Sequence, residues 1–171
     1  MIYGFNPMRI PAHRVGALVL LAAVIVIVTA LGFEYLGGYA ACPLCLEQRY
    51  AYYVAIPLLL LALVLLSADH ISVAALVFIG VAVIFLANAG LGLYHAGAEW
   101  KFWPGPDTCA AAGPLTAPVG GLLKDLATTR VVRCDEAAWH FLGLSFAAWN
   151  VVASLLLAAG GVLAAVSSRR R

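Results

Sequence analysis

Cys42-Pro43-Leu44-Cys45-Leu46-Glu47-Gln48-Arg49 stands between two long apolar runs, about 15–36 and about 50–67. Each run is close to the 20 or so residues that an α-helix needs to cross the hydrocarbon core of a bilayer. A short polar stretch between two such runs reads as the turn between two membrane spans. Two thiols three residues apart can close a small disulfide ring and open it again. Pro43 suits the first position of a helix, where its missing N–H is no loss, and it pushes Cys42 toward the extended geometry of an N-cap. Both cysteines then lie in the positive first turn of the second helix, which favours thiolates, although Pro43 removes one amide that could support one. Arg49, four residues beyond Cys45, projects from the same helical face.

Working outward, two further apolar runs follow, about 71–93 and 141–166. The 171 residues are 64% hydrophobic and 11% charged, with a mean hydropathy of +1.00. Soluble domains are roughly half apolar and about a quarter charged, so most of this chain is solvated by lipid. The expected fold is all-α, a single integral membrane domain over 1–171 with four spans and cysteine-bearing loops at about 37–49 and 94–140. A net charge of +2 argues against nucleic-acid binding. Gly37-Gly38 ends the first helix, Tyr50, Tyr52 and Tyr53 suit an interfacial belt, Pro57 suits a kink, and Gly80, Gly90 and Gly92 suit close helix packing. A cleaved signal peptide is the rival for the first run, but that run is long for one.

Four spans put both termini on one side. Arg9, Arg14, Arg169, Arg170 and Arg171 mark that side as cytoplasmic, so both cysteine loops face outward, which in a bacterium is the periplasm beyond the inner membrane. The second loop is rich in proline and glycine and holds Cys109 and Cys134. Between them Val119, Leu122, Leu123 and Leu126 recur at helical spacing, as in a short amphipathic helix lying on the bilayer or packed on the loop.

A structural staple explains a widely spaced pair such as Cys109 and Cys134 but explains Cys42 and Cys45 poorly, because so small a loop gains little from closure. A four-cysteine zinc site fits poorly, since the second pair lacks close spacing, and no metal is expected. Thiol–disulfide redox chemistry is the better reading, and it requires an electron acceptor. The chain has no G-x-G-x-x-G for a dinucleotide, and Leu46 rather than histidine follows Cys45, which excludes covalent c-type haem. A lipid-soluble quinone reaching Cys45 laterally is what elimination leaves. Two rivals stand beside it, a membrane scaffold with two structural disulfides and a b-haem carrier using His95 and His140.

Cys42-Pro43-Leu44-Cys45 with Arg49, Trp103-Pro104-Gly105-Pro106-Asp107-Thr108-Cys109, and Cys134 followed by Trp139-His140-Phe141-Leu142-Gly143-Leu144 resemble together the bacterial disulfide bond formation protein B family, DsbB. The resemblance covers nearly the whole chain. It implies a thiol:quinone oxidoreductase that re-oxidises a periplasmic thioredoxin-fold oxidase of the DsbA type and passes electrons to ubiquinone or menaquinone. It further implies a Cys109–Cys134 disulfide attacked at Cys109, exchange of Cys134 with Cys42, and delivery of electrons from Cys45. Arg49 and His95 match family positions near the quinone. Arg49 has a plainer reading as an interfacial anchor paired with Glu47, and Glu34 is either a proton relay or a headgroup-exposed carboxylate.

Overall fold

The computed structural model of the chain describes residues 10–39, 41–105, 134 and 139–169. Among these residues the chain forms four long helices: α1 (Ile10–Tyr35), α2 (Pro43–Ser67), α3 (Ile71–Glu99) and α4 (Phe146–Arg169). The shortest has 24 residues, about 36 Å at 1.5 Å per residue, so each is long and apolar enough to cross a membrane. The expected all-α, four-helix membrane architecture is the one observed. Large apolar side chains point outward along every helix, such as Leu18 on α1, Leu61 on α2, Leu76 on α3 and Leu156 on α4. In water such a surface would drive association; in lipid it is the ordinary exterior.

The interior is made of small residues that let backbones approach. Ala12, Ala23, Ala55, Ala62, Ala74, Ala75 and Ala164 are fully buried among Leu59, Phe78 and Phe85. The α4 helix packs on α1 and α3, and α2 packs on the same two helices. Gly160 and Gly161 make the double contact of α4 possible. A Cβ on Gly160 would sit 2.5 Å from Val19 on α1, and one on Gly161 would sit 3.1 Å from the Phe78 carbonyl oxygen on α3.

The first helix stops where glycine allows it. The Tyr39 N–H bonds the Phe33 carbonyl and Gly38 takes a φ of 70°, so the chain reverses through a left-handed residue. Several boundaries differ from the sequence reading. The third helix runs past Leu93 to Glu99, which puts His95 inside it and not in the loop. The last helix begins at Phe146 and not at Phe141, because His140–Phe141 (β1) and Leu144–Ser145 (β2) form a two-residue hairpin turned by Gly143 at a φ of 80°. Of the three glycines assigned to packing on α3, Gly92 meets Val151 and Asn150 of α4, whereas Gly80 and Gly90 face open space. The stretch from Val119 to Leu126, and Cys109, lie outside the described residues.

Candidate functional site

The site is built at the end of the bundle where α2 begins. Cys42 is the N-cap of α2, with φ −74° and ψ 163°, and its sulfur accepts the Cys45 N–H at 3.3 Å. Pro43 follows at the first helical position, as its fixed φ and missing N–H favour. Both thiols are free, with their sulfurs 3.0 Å apart. Cys134 is disulfide-bonded and packs with Cys42 and Leu44 in one buried cluster, with Cys45 and Leu91 against it. Three of the four cysteines therefore meet at one point, although Cys134 lies 92 residues beyond Cys42.

His95 closes the site from α3. Its Nε2 is 3.6 Å from the Cys42 sulfur and 3.8 Å from a carboxylate oxygen of Glu99, one turn further along. Glu99 in turn accepts a hydrogen bond from the Ser145 hydroxyl on β2, just before α4. The Cys42 thiol is lowered from 9.0 to about 5. The hydrogen bond from the Cys45 thiol contributes most, burial opposes it, and the His95 ring and the Cys45 N–H add to the lowering. These contacts favour the thiolate form of Cys42.

Behind His95 a chain of buried and half-buried amides crosses three helices. Gln48 Nε2 donates to His95 Nδ1 at 2.9 Å, and Asn150 Nδ2 donates to Gln48 Oε1 at 2.7 Å. Asn150 Oδ1 accepts the Tyr52 hydroxyl at 2.8 Å and Asn88 Nδ2 at 3.4 Å, and Asn88 Nδ2 also reaches Ser154 Oγ at 3.0 Å. Polar groups are costly at this depth unless they pair, and among the described residues no buried side-chain nitrogen or oxygen lacks a partner.

A cavity of about 640 Å³ opens beside the thiols. Aliphatic and aromatic side chains, including Ile25, Phe33, Phe146 and Trp149, form most of its wall, while Cys45, Arg49, Gln48 and His95 gather at its polar end. Trp139 stacks on Phe141 and Phe146, with ring centroids 5.6 and 5.3 Å apart, and Phe33 meets Phe146 edge-on. Arg49 forms its ion pair with Glu34 of α1 and not with Glu47. The pair is largely shielded from solvent, so the guanidinium is held toward the cavity by a fixed carboxylate. Such a cavity has the size and mixed lining of a small-molecule site.

Cys42, Cys45 and His95 bring their ligand-type atoms within 4.8 Å of one another. Two thiolates on one tetrahedral zinc stand roughly 3.8 Å apart, as follows from Zn–S bonds of about 2.3 Å. The observed 3.0 Å is shorter than that spacing.

The structure therefore brings together Cys42, Cys45, Cys134, Arg49 and His95 of the expected residues. His140 lies on β1 and is exposed. Gln48, Asn150, Asn88 and Glu99 were not singled out for the site by sequence. The available signal was the rarity of amide and carboxylate groups inside spans, but it could not say which of them meet.

Comparison with known proteins fits this geometry. Residues 12–164 match the family described as Disulfide bond formation protein DsbB. A Disulfide bond formation protein B from Methylococcus capsulatus is 31% identical over 140 residues, covering 78% of this chain and 82% of that protein. Its namesake from Albidiferax ferrireducens is 26% identical over 82% of this chain and 79% of its own length, and one from a Polaromonas species is 27% identical over 88% and 89%. No solved structure matches the chain significantly. With a family match spanning nearly the whole four-helix bundle, the chain belongs to the DsbB family, membrane proteins of disulfide bond formation.

Proposed function

We propose that the protein is a thiol:quinone oxidoreductase that re-oxidises a periplasmic thioredoxin-fold oxidase of the DsbA type. The observation that carries this reading is a reduced Cys42–Cys45 pair opening on a 640 Å³ cavity while a disulfide-bonded Cys134 packs against it from behind. Arg14 and Arg169 lie at the opposite end of the bundle, which supports cytoplasmic termini and an outward-facing site.

Electrons enter by thiol exchange. A partner thiolate attacks Cys109 of a Cys109–Cys134 bridge and Cys134 leaves; the second partner thiol then displaces Cys109, so the partner departs as a disulfide. The Cys134 thiolate attacks Cys42 of an oxidised Cys42–Cys45 pair and Cys45 leaves. Cys109 then attacks Cys134, which restores the loop disulfide and releases Cys42. A thiol of low pKa leaves faster, and the lowered Cys42 thiol suits that last step. The exchange thus leaves Cys42 and Cys45 reduced and the Cys109–Cys134 bridge restored.

The lining fits a quinone, with flat aromatic and aliphatic walls for the ring and tail and N–H donors at one end for its oxygens. A bound quinone, ubiquinone or menaquinone, supplies the acceptor for two electrons and two protons. Arg49 would hold one oxygen and favour negative charge there, oriented by Glu34. Cys45 presents its sulfur to the same cavity, and His95 keeps Cys42 ionised. The experiment is quinone reduction by purified protein given a reduced thioredoxin-fold oxidase. Turnover lost in both Cys45→Ala and Cys109→Ala is expected. No turnover, with both bridges intact in excess reduced partner, would return the protein to the scaffold reading.

A further inference from the structure

The hydrogen-bond chain behind His95 has a polarity, and the polarity has a chemical consequence. A thiolate at Cys42 can only accept, so the His95 Nε2 facing it must donate. A neutral imidazole that donates from Nε2 must accept at Nδ1, and there Gln48 presents its NH₂ group at 2.9 Å. Gln48 can turn its NH₂ toward His95 only if its oxygen finds a donor elsewhere. Asn150 Nδ2 is that donor at 2.7 Å, and the Asn150 oxygen is turned the other way by the Tyr52 hydroxyl and the Asn88 NH₂.

From this we infer that Asn150, acting through Gln48, is a positioning residue that fixes His95 as the Nε2–H tautomer and so aims an N–H at the Cys42 sulfur. Gln48 is 5% and His95 2% exposed, so each makes its hydrogen bonds chiefly within the bundle. Each link comes from a different helix, Gln48 and Tyr52 from α2, His95 and Asn88 from α3, and Asn150 from α4. The tautomer is thereby set by how the bundle packs and not by the thiol loop. The opposite polarity would leave a bare Nε2, which cannot stabilise a thiolate.

Other charged groups around Cys42 act alongside this contact. Cys45 lies beside it on α2, Glu99 stands behind His95 on α3, and Glu34 of α1 with Arg49 of α2 line the adjoining cavity, while the Cys134 that packs against it is bridged and uncharged. Among the described residues, α4 presents the uncharged Asn150 to the site and β2 the hydroxyl of Ser145. The contribution to turnover rests on the redox reading above, whereas the tautomer does not.

The test is ¹⁵N NMR of histidine-labelled, reduced full-length protein in nanodiscs, with His95 assigned by loss of its signals in His95→Gln. A protonated Nε2 and a bare Nδ1 are expected in the parent. Asn150→Leu is expected to mix the two tautomers and to raise the Cys42 thiolate titration, followed at 240 nm, by roughly one pH unit or more. Gln48→Leu should do the same, and the double variant should shift no further than Gln48→Leu alone. A parent with its proton on Nδ1 overturns the inference, and that measurement needs no variant to fold. So does an Asn150→Leu shift that persists undiminished in the Gln48→Leu background, or an Asn150→Leu protein with unchanged tautomer and titration. If quinone reduction fails while the Nε2–H pattern holds, the redox reading falls and the positioning role of Asn150 stands.

Discussion

The two ends of this bundle are built on opposite principles. Near the chain termini, Ala12, Ala62, Ala74, Ala164 and Phe78 fill the interior, with glycine on α4 letting backbones close to contact. At the other end the interior is polar: the buried Gln48, His95 and Asn88 and the half-buried Asn150 and Glu99 occupy positions where apolar residues would pack at no electrostatic cost. Buried polar groups in a membrane must all be paired, and these are, by partners from three helices. A bundle needing only stability could have used alanine throughout. One end holds the helices together, and the other holds two sulfurs, a histidine and an arginine in fixed relation, as the proposed function requires.

If the contrast is real, substitutions at the two ends should fail differently. The largest effect is expected at the thiols, where Cys45→Ala should take quinone-linked turnover to background and leave thermal unfolding of the reduced protein near the parent's. Equal loss of folding and activity would count against a division of labour. Arg49→Lys keeps the charge but loses the planar fork that Glu34 orients, and a fall of roughly a hundredfold in kcat/KM for quinone is expected. Retained activity would leave Arg49 a mere anchor.

The polar end should also carry a pH signature that the apolar end lacks. The Cys42 thiol is depressed to about 5 from 9.0, so its ionisation stabilises the reduced fold fully above the unfolded value near 9. That contribution is lost as pH falls through about 5. The Tm of the reduced parent should therefore rise between those limits relative to Cys42→Ala, and parallel curves would remove the thiolate. At the apolar end Gly161→Val should cost about 1–3 kcal/mol by forcing α4 away from the Phe78 carbonyl, without moving the Cys42 titration. A smaller local effect is expected for Gly97→Ala, whose Cβ would fall 2.1 Å from the Trp103 ring. Trp103 would leave its stack on Tyr94 and its hydrogen bond to the Tyr94 carbonyl, worth about 1 kcal/mol, and tryptophan fluorescence would report it.

What could be read along the chain was what is local. The presence of four long apolar helices, the stop at Gly37-Gly38, and the Cys42 cap with Pro43 behind it follow from interactions within a few residues, and the structure has each of them. Composition alone ends α3 near Leu93, about six residues early, because the prolines, glycines and charges that follow mark the stretch from Tyr94 as loop. His95 and Ala96 are in fact buried against α2 and α4, and burial keeps the helix going to Glu99. The hairpin before α4 was read as helix for the opposite reason, since an apolar run does not by itself mark where a left-handed glycine turns the chain.

Sequence alone determined that this is a four-helix membrane protein with a thiol pair at the mouth of its second helix, because spacing and hydropathy act over one helix at a time. Only the tertiary structure decided which polar groups meet. Arg49 pairs with a carboxylate 15 residues away rather than two, and Gln48 bridges residues 47 and 102 positions distant. Such partners are chosen by helix packing, because in lipid a buried amide or charge pairs with whichever group the neighbouring helix brings within reach.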